Sequence, residues 1–289
     1  MKLEGSFVAL VTPYKNGAVD LDQVKELVDF HLKNGTGGFC PAATTGEGPS
    51  LTRDEKASVI KAVVSMTRGK AAVFPGTGTY NTRESIEQTR MARELGAEGA
   101  LMVTPYYNKP TQEGLFQHFE AVAKAVPLPI MLYNVPSRTG VRLAPETTAR
   151  LSKVPGIVAL KDASGDVEEV TKVRALCDIQ ILSGEDSLTF PILCLGGKGV
   201  VSVAANVIPK DVAEMCRRAS RGDFVGAREI HDRCFALFKD LFIETNPGPV
   251  KAALKMMGMG NGELRLPLAP VAAASEEKLR RTLQACKVI

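Results

Sequence analysis

Eight short apolar runs recur at near-regular spacing through the first 203 residues, and nothing else in the chain constrains its fold as tightly. They cover residues 6–11, 38–41, 71–75, 100–104, 130–133, 157–160, 180–183 and 199–203. Their apolar residues stand side by side instead of alternating with polar ones, as expected of parallel strands buried on both faces. Between them lie amphipathic segments at 20–33, 52–67, 82–95, 111–125 and 166–176. Many of these open on a capping residue, and Thr52-Arg53-Asp54-Glu55 has the form of a capping box. Eight strand–helix repeats predict a closed (β/α)8 TIM barrel, with an open doubly wound sheet as the alternative architecture. After the eighth strand the pattern is helical from Lys210 to Cys286, punctuated by Asn246-Pro247-Gly248-Pro249 and by the glycine-rich stretch 258–262. The barrel is expected over 1–222, and an all-helical C-terminal appendage over 223–289.

A chain of 289 residues buries a core without covalent staples, and its six cysteines are scattered with no CxxC pair. With no signal segment at Met1-Lys2-Leu3-Glu4-Gly5, the expectation is reduced thiols and a cytoplasmic location. The longest apolar stretches are broken by Pro, Gly or charge, which argues against a membrane span. The net charge of +4 is dispersed, with basic and acidic residues alternating along helices, so nucleic acid is not an expected partner. His31, His118 and His231 stand far apart inside helical patterns and are read as structural, with no metal expected.

The sixth run ends in Lys161. The carboxyl ends of barrel strands are where reactive side chains collect, so an amine there is a candidate for covalent chemistry on a carbonyl. The competing reading is a rim lysine paired with Asp162. The fifth run delivers Tyr133 to the same rim and continues as Asn134-Val135-Pro136-Ser137-Arg138-Thr139-Gly140. Amine, phenol and guanidinium therefore converge. A lysine attacks a carbonyl only as the neutral amine, so such a site must favour that form. Schiff-base chemistry also needs a proton shuttle, for which Tyr133 is the nearest candidate.

The second run leads into Ala42-Ala43-Thr44-Thr45-Gly46-Glu47-Gly48, where small hydroxyl residues and glycines let a carboxylate or phosphate approach the backbone. An ordinary capped turn is the alternative. The fourth leads into Thr104-Pro105-Tyr106-Tyr107-Asn108-Lys109-Pro110, paired tyrosines that suggest an interface or a site. The glycines at 76–78 and 196–199 match no nucleotide-binding fingerprint. Gly184-Glu185-Asp186 follows the seventh run and either lines the mouth or simply turns the chain.

The segments Thr44-Thr45-Gly46-Glu47, Tyr106-Tyr107-Asn108-Lys109-Pro110-Thr111-Gln112-Glu113-Gly114, Tyr133 to Gly140 and Leu160-Lys161-Asp162-Ala163-Ser164-Gly165-Asp166 together resemble the dihydrodipicolinate synthase family, within the N-acetylneuraminate lyase superfamily. The resemblance runs from Gly5 into the C-terminal helices. It implies a pyruvate-dependent condensation with L-aspartate 4-semialdehyde on the route to lysine and diaminopimelate. On this resemblance Lys161 forms the imine with pyruvate, without metal or organic cofactor. Tyr133 relays protons through Thr44 to Tyr107 of a neighbouring subunit. Thr45 holds the pyruvate carboxylate, Arg138 the carboxylate of the semialdehyde, and Gly184 and Val201 contribute pocket backbone. A homotetramer, a dimer of dimers, is implied.

Members inhibited by lysine bind it with a Ser, a His and an Asn where this chain has Gly48, Lys56 and Tyr80, although Glu84 and Tyr106 match; Pro49 and Arg53 complete the corresponding region. A cationic Lys56 repels a ligand ammonium and Tyr80 is bulky, so weak or absent inhibition by lysine is expected. Two other readings stand beside the synthase: a sugar-acid aldolase sharing the imine, and a non-catalytic binding protein on the same barrel.

Overall fold

The computed structural model describes all residues, 1–289. The eight expected strands are present as β1 (Gly5–Val8), β2 (Gly38–Phe39), β3 (Ala72–Val73), β4 (Ala100–Val103), β5 (Ile130–Asn134), β6 (Ile157–Asp162), β7 (Gln180–Ser183) and β8 (Gly199–Ser202). All pairings are parallel, in the order β3-β2-β1-β8-β7-β6-β5-β4. A parallel bridge between Gly76 and Leu101 joins the two ends, which closes the barrel and excludes an open doubly wound sheet.

One helix follows each strand: α1 (Leu21–Lys33), α2 (Arg53–Thr67), α3 (Thr82–Glu94), α4 (Gln112–Ala125), α5 (Pro145–Leu151), α6 (Val167–Leu176), α7 (Thr189–Cys194) and α8 (Pro209–Ser220). Asp20, Thr52, Thr111 and Asp166 cap their helices as expected, each accepting a hydrogen bond from a first-turn amide, and Thr52 with Glu55 closes a reciprocal capping box. At α3 the cap is Asn81, one residue before the expected Thr82. Each such cap is worth about 1 kcal/mol.

The strands read as unbroken apolar runs because both faces are covered. On β5, Met131 and Tyr133 join the core shared with the barrel interior, whereas Ile130 and Leu132 pack with Leu115, Phe119 and Leu151 of the outer helices. Burying each of these large side chains contributes about 1.5–3 kcal/mol. The C-terminal helices α9 (Phe224–Asp240), α10 (Gly248–Met256) and α11 (Ala273–Ala285) add Leu237, Leu254 and Leu283 to the larger of the two apolar cores, which also takes in residues of α1, α2 and α8. They pack directly on the barrel. A two-stranded ribbon, Tyr14–Lys15 against Ala18–Val19, was not expected from the sequence. No helix is long and apolar enough to cross a membrane.

Candidate active site

Tyr133 and Lys161 are register partners on β5 and β6, so both side chains leave the sheet on the same side. The Lys161 Nζ lies 3.9 Å from the centroid of the Tyr133 ring. Lys161 is 5% exposed and takes part in no salt bridge. Pairing with Asp162 does not occur, because adjacent residues on a strand point to opposite faces. Asp162 instead accepts from Ser164 Oγ at 2.8 Å and Asn134 Nδ2 at 3.4 Å, and burial pushes its carboxyl up to about 6. The amine thus stands against an aromatic face with no carboxylate attached to it.

Gly184, directly after β7, makes room for that amine. A Cβ at this position would lie 2.8 Å from Ala163 Cβ and 3.0 Å from Lys161 Cε. Above it opens a cavity of about 270 Å³ lined by Tyr133, Arg138, Ala163, Gly184, Glu185 and Phe238, among others. Arg138 reaches this mouth from a helical turn, Pro136–Thr139, stopped by Gly140 at φ 69°. Asp186 turns the chain: its carboxylate accepts from Val203 N at 3.0 Å and Ala204 N at 2.9 Å, and from Ser202 Oγ.

The loop after β2 is held by the C-terminal segment. Asn246 Nδ2 donates to Thr45 Oγ1 at 3.0 Å, and Asn246 O accepts from Arg138 Nη2 at 3.4 Å. Glu47, in a left-handed conformation at φ 52°, pairs its buried carboxylate with Lys251 and accepts from Arg265 N at 3.1 Å. Lys251 Nζ and the Arg265 guanidinium flank the Tyr14 ring at 4.1 and 4.5 Å. Losing one member of such a buried pair typically costs about 3–5 kcal/mol, so the pair pins the threonine loop firmly to α10.

Tyr106 and Tyr107 part company. Tyr106 is half-buried and packs edge-on to Tyr80, ring centroids 5.3 Å apart, whereas Tyr107 is 91% exposed with φ 71°. An aromatic residue in left-handed geometry and full solvent exposure is a strained, uncommon arrangement. Thr44, Gly48, Pro49, Lys56, Tyr80, Glu84, Tyr106 and Arg138 line one cavity of about 570 Å³. Arg53 lines an adjoining one with Lys56 and Glu84. Lys56 Nζ donates to Gln88 at 3.0 Å, and burial depresses its amine. In this loop conformation a Cβ on Gly48 would sit 2.2 Å from Ala42 O, so a larger residue would require the backbone to shift. Val201 is fully buried in the core and lines neither cavity.

The three histidines are buried helix residues, and no grouping of three or more His, Cys, Asp or Glu side chains could hold a metal ion. The arrangement fits amine chemistry on a small carboxylated carbonyl compound. The model of the "Dihydrodipicolinate synthetase family" matches residues 2–286. The chain belongs to the dihydrodipicolinate synthetase family. It is 50% identical to the 4-hydroxy-tetrahydrodipicolinate synthase of Citrifermentans bemidjiense, with 99% of each chain covered. Among solved structures it is similar to the dihydrodipicolinate synthase of Aquifex aeolicus, with 46% identity, 99% of each chain covered and a TM-score of 0.97. A pyruvate complex of the enzyme from Acinetobacter baumannii is similar over 100% of both chains, with 43% identity and a TM-score of 0.98.

For this member of the dihydrodipicolinate synthetase family, the sequence reading left three residues unassigned: Asn246, Lys251 and Arg265. The proline-rich stretch 246–249 registered only as punctuation. Lys251 carried one usable signal, a lysine at a position that α10 turns toward the core.

Proposed function

We propose that the chain has 4-hydroxy-tetrahydrodipicolinate synthase activity, condensing pyruvate with L-aspartate 4-semialdehyde on the route to lysine and diaminopimelate, with Lys161 as the nucleophile. The observation that carries the reading is the buried, carboxylate-free amine of Lys161 against the Tyr133 ring. Its Nζ adds to C2 of pyruvate, and loss of water from the carbinolamine leaves an imine. Removal of a C3 proton gives the enamine, which adds to the aldehyde carbon of the second substrate. Tyr133 carries the protons that these steps exchange, in a relay with Thr44.

Thr45 and Arg138 are assigned to the carboxylates of pyruvate and of the semialdehyde respectively. Gly184 clears the lysine tip, and Val201 is assigned to the pocket backbone on the family resemblance alone. Neither a metal nor an organic cofactor takes part, since the family's chemistry rests on the covalent imine. Tyr107 serves a neighbouring subunit, a reading supported by its exposure and left-handed backbone. That assignment requires at least a dimer; the family resemblance supports a homotetramer built as a dimer of dimers, and the biosynthetic role supports a cytoplasmic location. The division into a catalytic barrel, 1–222, and a helical appendage, 223–289, belongs to the same reading and is supported by the purely helical C-terminal region.

Lysine inhibition is weak or absent on this reading. The Lys56 ammonium shares the cavity with Glu84, and Gly48 and Tyr80 stand in the same lining without the hydroxyl and amide of the inhibited members. A coupled assay distinguishes the synthase from a sugar-acid aldolase: turnover requires both pyruvate and aspartate semialdehyde, and cleavage of a sialic acid or a 2-keto-3-deoxy sugar acid would contradict it.

A further inference from the structure

Resting on that reading of the reaction, we propose that Asn246 is a positioning residue: its side-chain amide directs the Thr45 hydroxyl proton, so that Thr45 donates to the carboxylate of pyruvate. Asn246 comes from the segment between α9 and α10, 201 residues along the chain from its partner. Both side chains are buried, at 4% and 3% exposure, and the Nδ2···Oγ1 separation is 3.0 Å. A hydroxyl has one proton to give and two lone pairs. Accepting from the amide uses a lone pair and turns the proton away from Asn246. Thr45 Oγ1 donates to no other group in the chain, so that proton is free for a ligand. A carboxylate offers acceptors only, and meets a donor here where a reversed hydroxyl would present lone pairs and repel it.

Two further features bear on the assignment. Asn246 Oδ1 is buried without a donor, so the only side-chain hydrogen bond the amide makes is the one to Thr45. The main-chain oxygen of Asn246 accepts from Arg138 Nη2 at 3.4 Å. One residue thus holds both carboxylate-binding side chains through two independent groups, an amide for Thr45 and a backbone carbonyl for Arg138. A side-chain substitution should disturb the first and spare the second.

The test uses Asn246→Asp, Asn246→Ala, Thr45→Val and the double variant Asn246→Asp with Thr45→Val in the full-length protein, measuring kcat, KM for each substrate and thermal midpoint. In Asn246→Asp the new carboxylate accepts the Thr45 proton. KM for pyruvate should rise about 10- to 100-fold while KM for the semialdehyde stays within about twofold. Asn246→Ala frees the hydroxyl to rotate and should raise KM for pyruvate by about 3- to 10-fold. In the Thr45→Val background, Asn246→Asp should add almost nothing, because the hydroxyl it acts through is gone. Parallel rises in both KM values, or additive effects in the double variant, would show a merely structural role and overturn the proposal. Should Asn246→Asp fail to fold, the KM split in Asn246→Ala decides. Borohydride trapping of pyruvate on the wild-type protein keeps the failures apart: no adduct overturns the underlying reaction, whereas an adduct with additive effects overturns the role of Asn246 alone.

Discussion

Lys161 Nζ and the Tyr133 ring centroid are 3.9 Å apart, and the two residues are register partners on adjacent parallel strands. The contact is therefore set by the barrel's hydrogen-bonded ladder and not by a loop. For the proposed roles of Lys161 as nucleophile and Tyr133 as proton carrier, mounting on adjacent paired strands supplies the preorganisation that imine chemistry needs.

Gly184 is the third part of that geometry. Gly184→Ala places a methyl group against Lys161 Cε and Ala163 Cβ, a level of overpacking that costs about 1–3 kcal/mol. Time-resolved mass spectrometry of adduct formation with pyruvate should show at least about a tenfold slower rate. The thermal midpoint should fall by only a few degrees. An unchanged rate would mean that the lysine does not use this space.

On the proposed function, Tyr107 completes the site of a neighbouring subunit. Chains carrying Tyr107→Phe and chains carrying Lys161→Ala should each be nearly inactive alone, and mixing them under exchange conditions should restore part of the activity. Complete failure to complement would place the whole site within one chain.

Much of this was legible in the sequence, for identifiable reasons. The strands β4, β5 and β6 announce themselves because both faces are buried, and the caps Asp20, Thr52 and Thr111 are local, within three residues of the amides they satisfy. Lys161 and Tyr133 were readable because an ionisable or phenolic group at the end of an apolar strand breaks the pattern. The ribbon leaves little trace in the sequence despite its Asn16-Gly17 turn, with φ values of 52° and 80°, because the strands on either side are only two residues long. Asn246 and Lys251 act across 201 and 204 residues of sequence. Nothing in their local pattern says which loop they hold.

Lysine at millimolar concentration should leave steady-state turnover essentially unchanged at neutral pH. The cavity holding Gly48, Tyr80, Glu84 and Tyr106 presents the Lys56 ammonium where a cationic ligand would need to settle. Strong suppression would show that Lys56 swings aside.

Acid should destabilise the fold between about pH 6.5 and 4, in part through His118. Burial holds this imidazole at about 4, below its ordinary range, although Thr82 Oγ1 lies 3.0 Å from its Nδ1. The unfolded chain therefore binds a proton that the folded one refuses, so stability falls as pH drops through this window. The contribution is about 3 kcal/mol. His31, held at about 3, acts in the same direction, whereas Asp162, raised to about 6, opposes them between about pH 4 and 6. Denaturant titrations across pH should show His118→Gln losing roughly one proton of this dependence. An unaltered slope would mean that His118 is charged in the fold.

The most direct test of the central claim is borohydride reduction of the protein in the presence of pyruvate, followed by intact mass and peptide mapping. The account predicts one reduced pyruvyl adduct per chain, on the peptide containing Lys161, and none in Lys161→Arg. An adduct on another lysine, or no adduct in a protein that turns over both substrates, would contradict it.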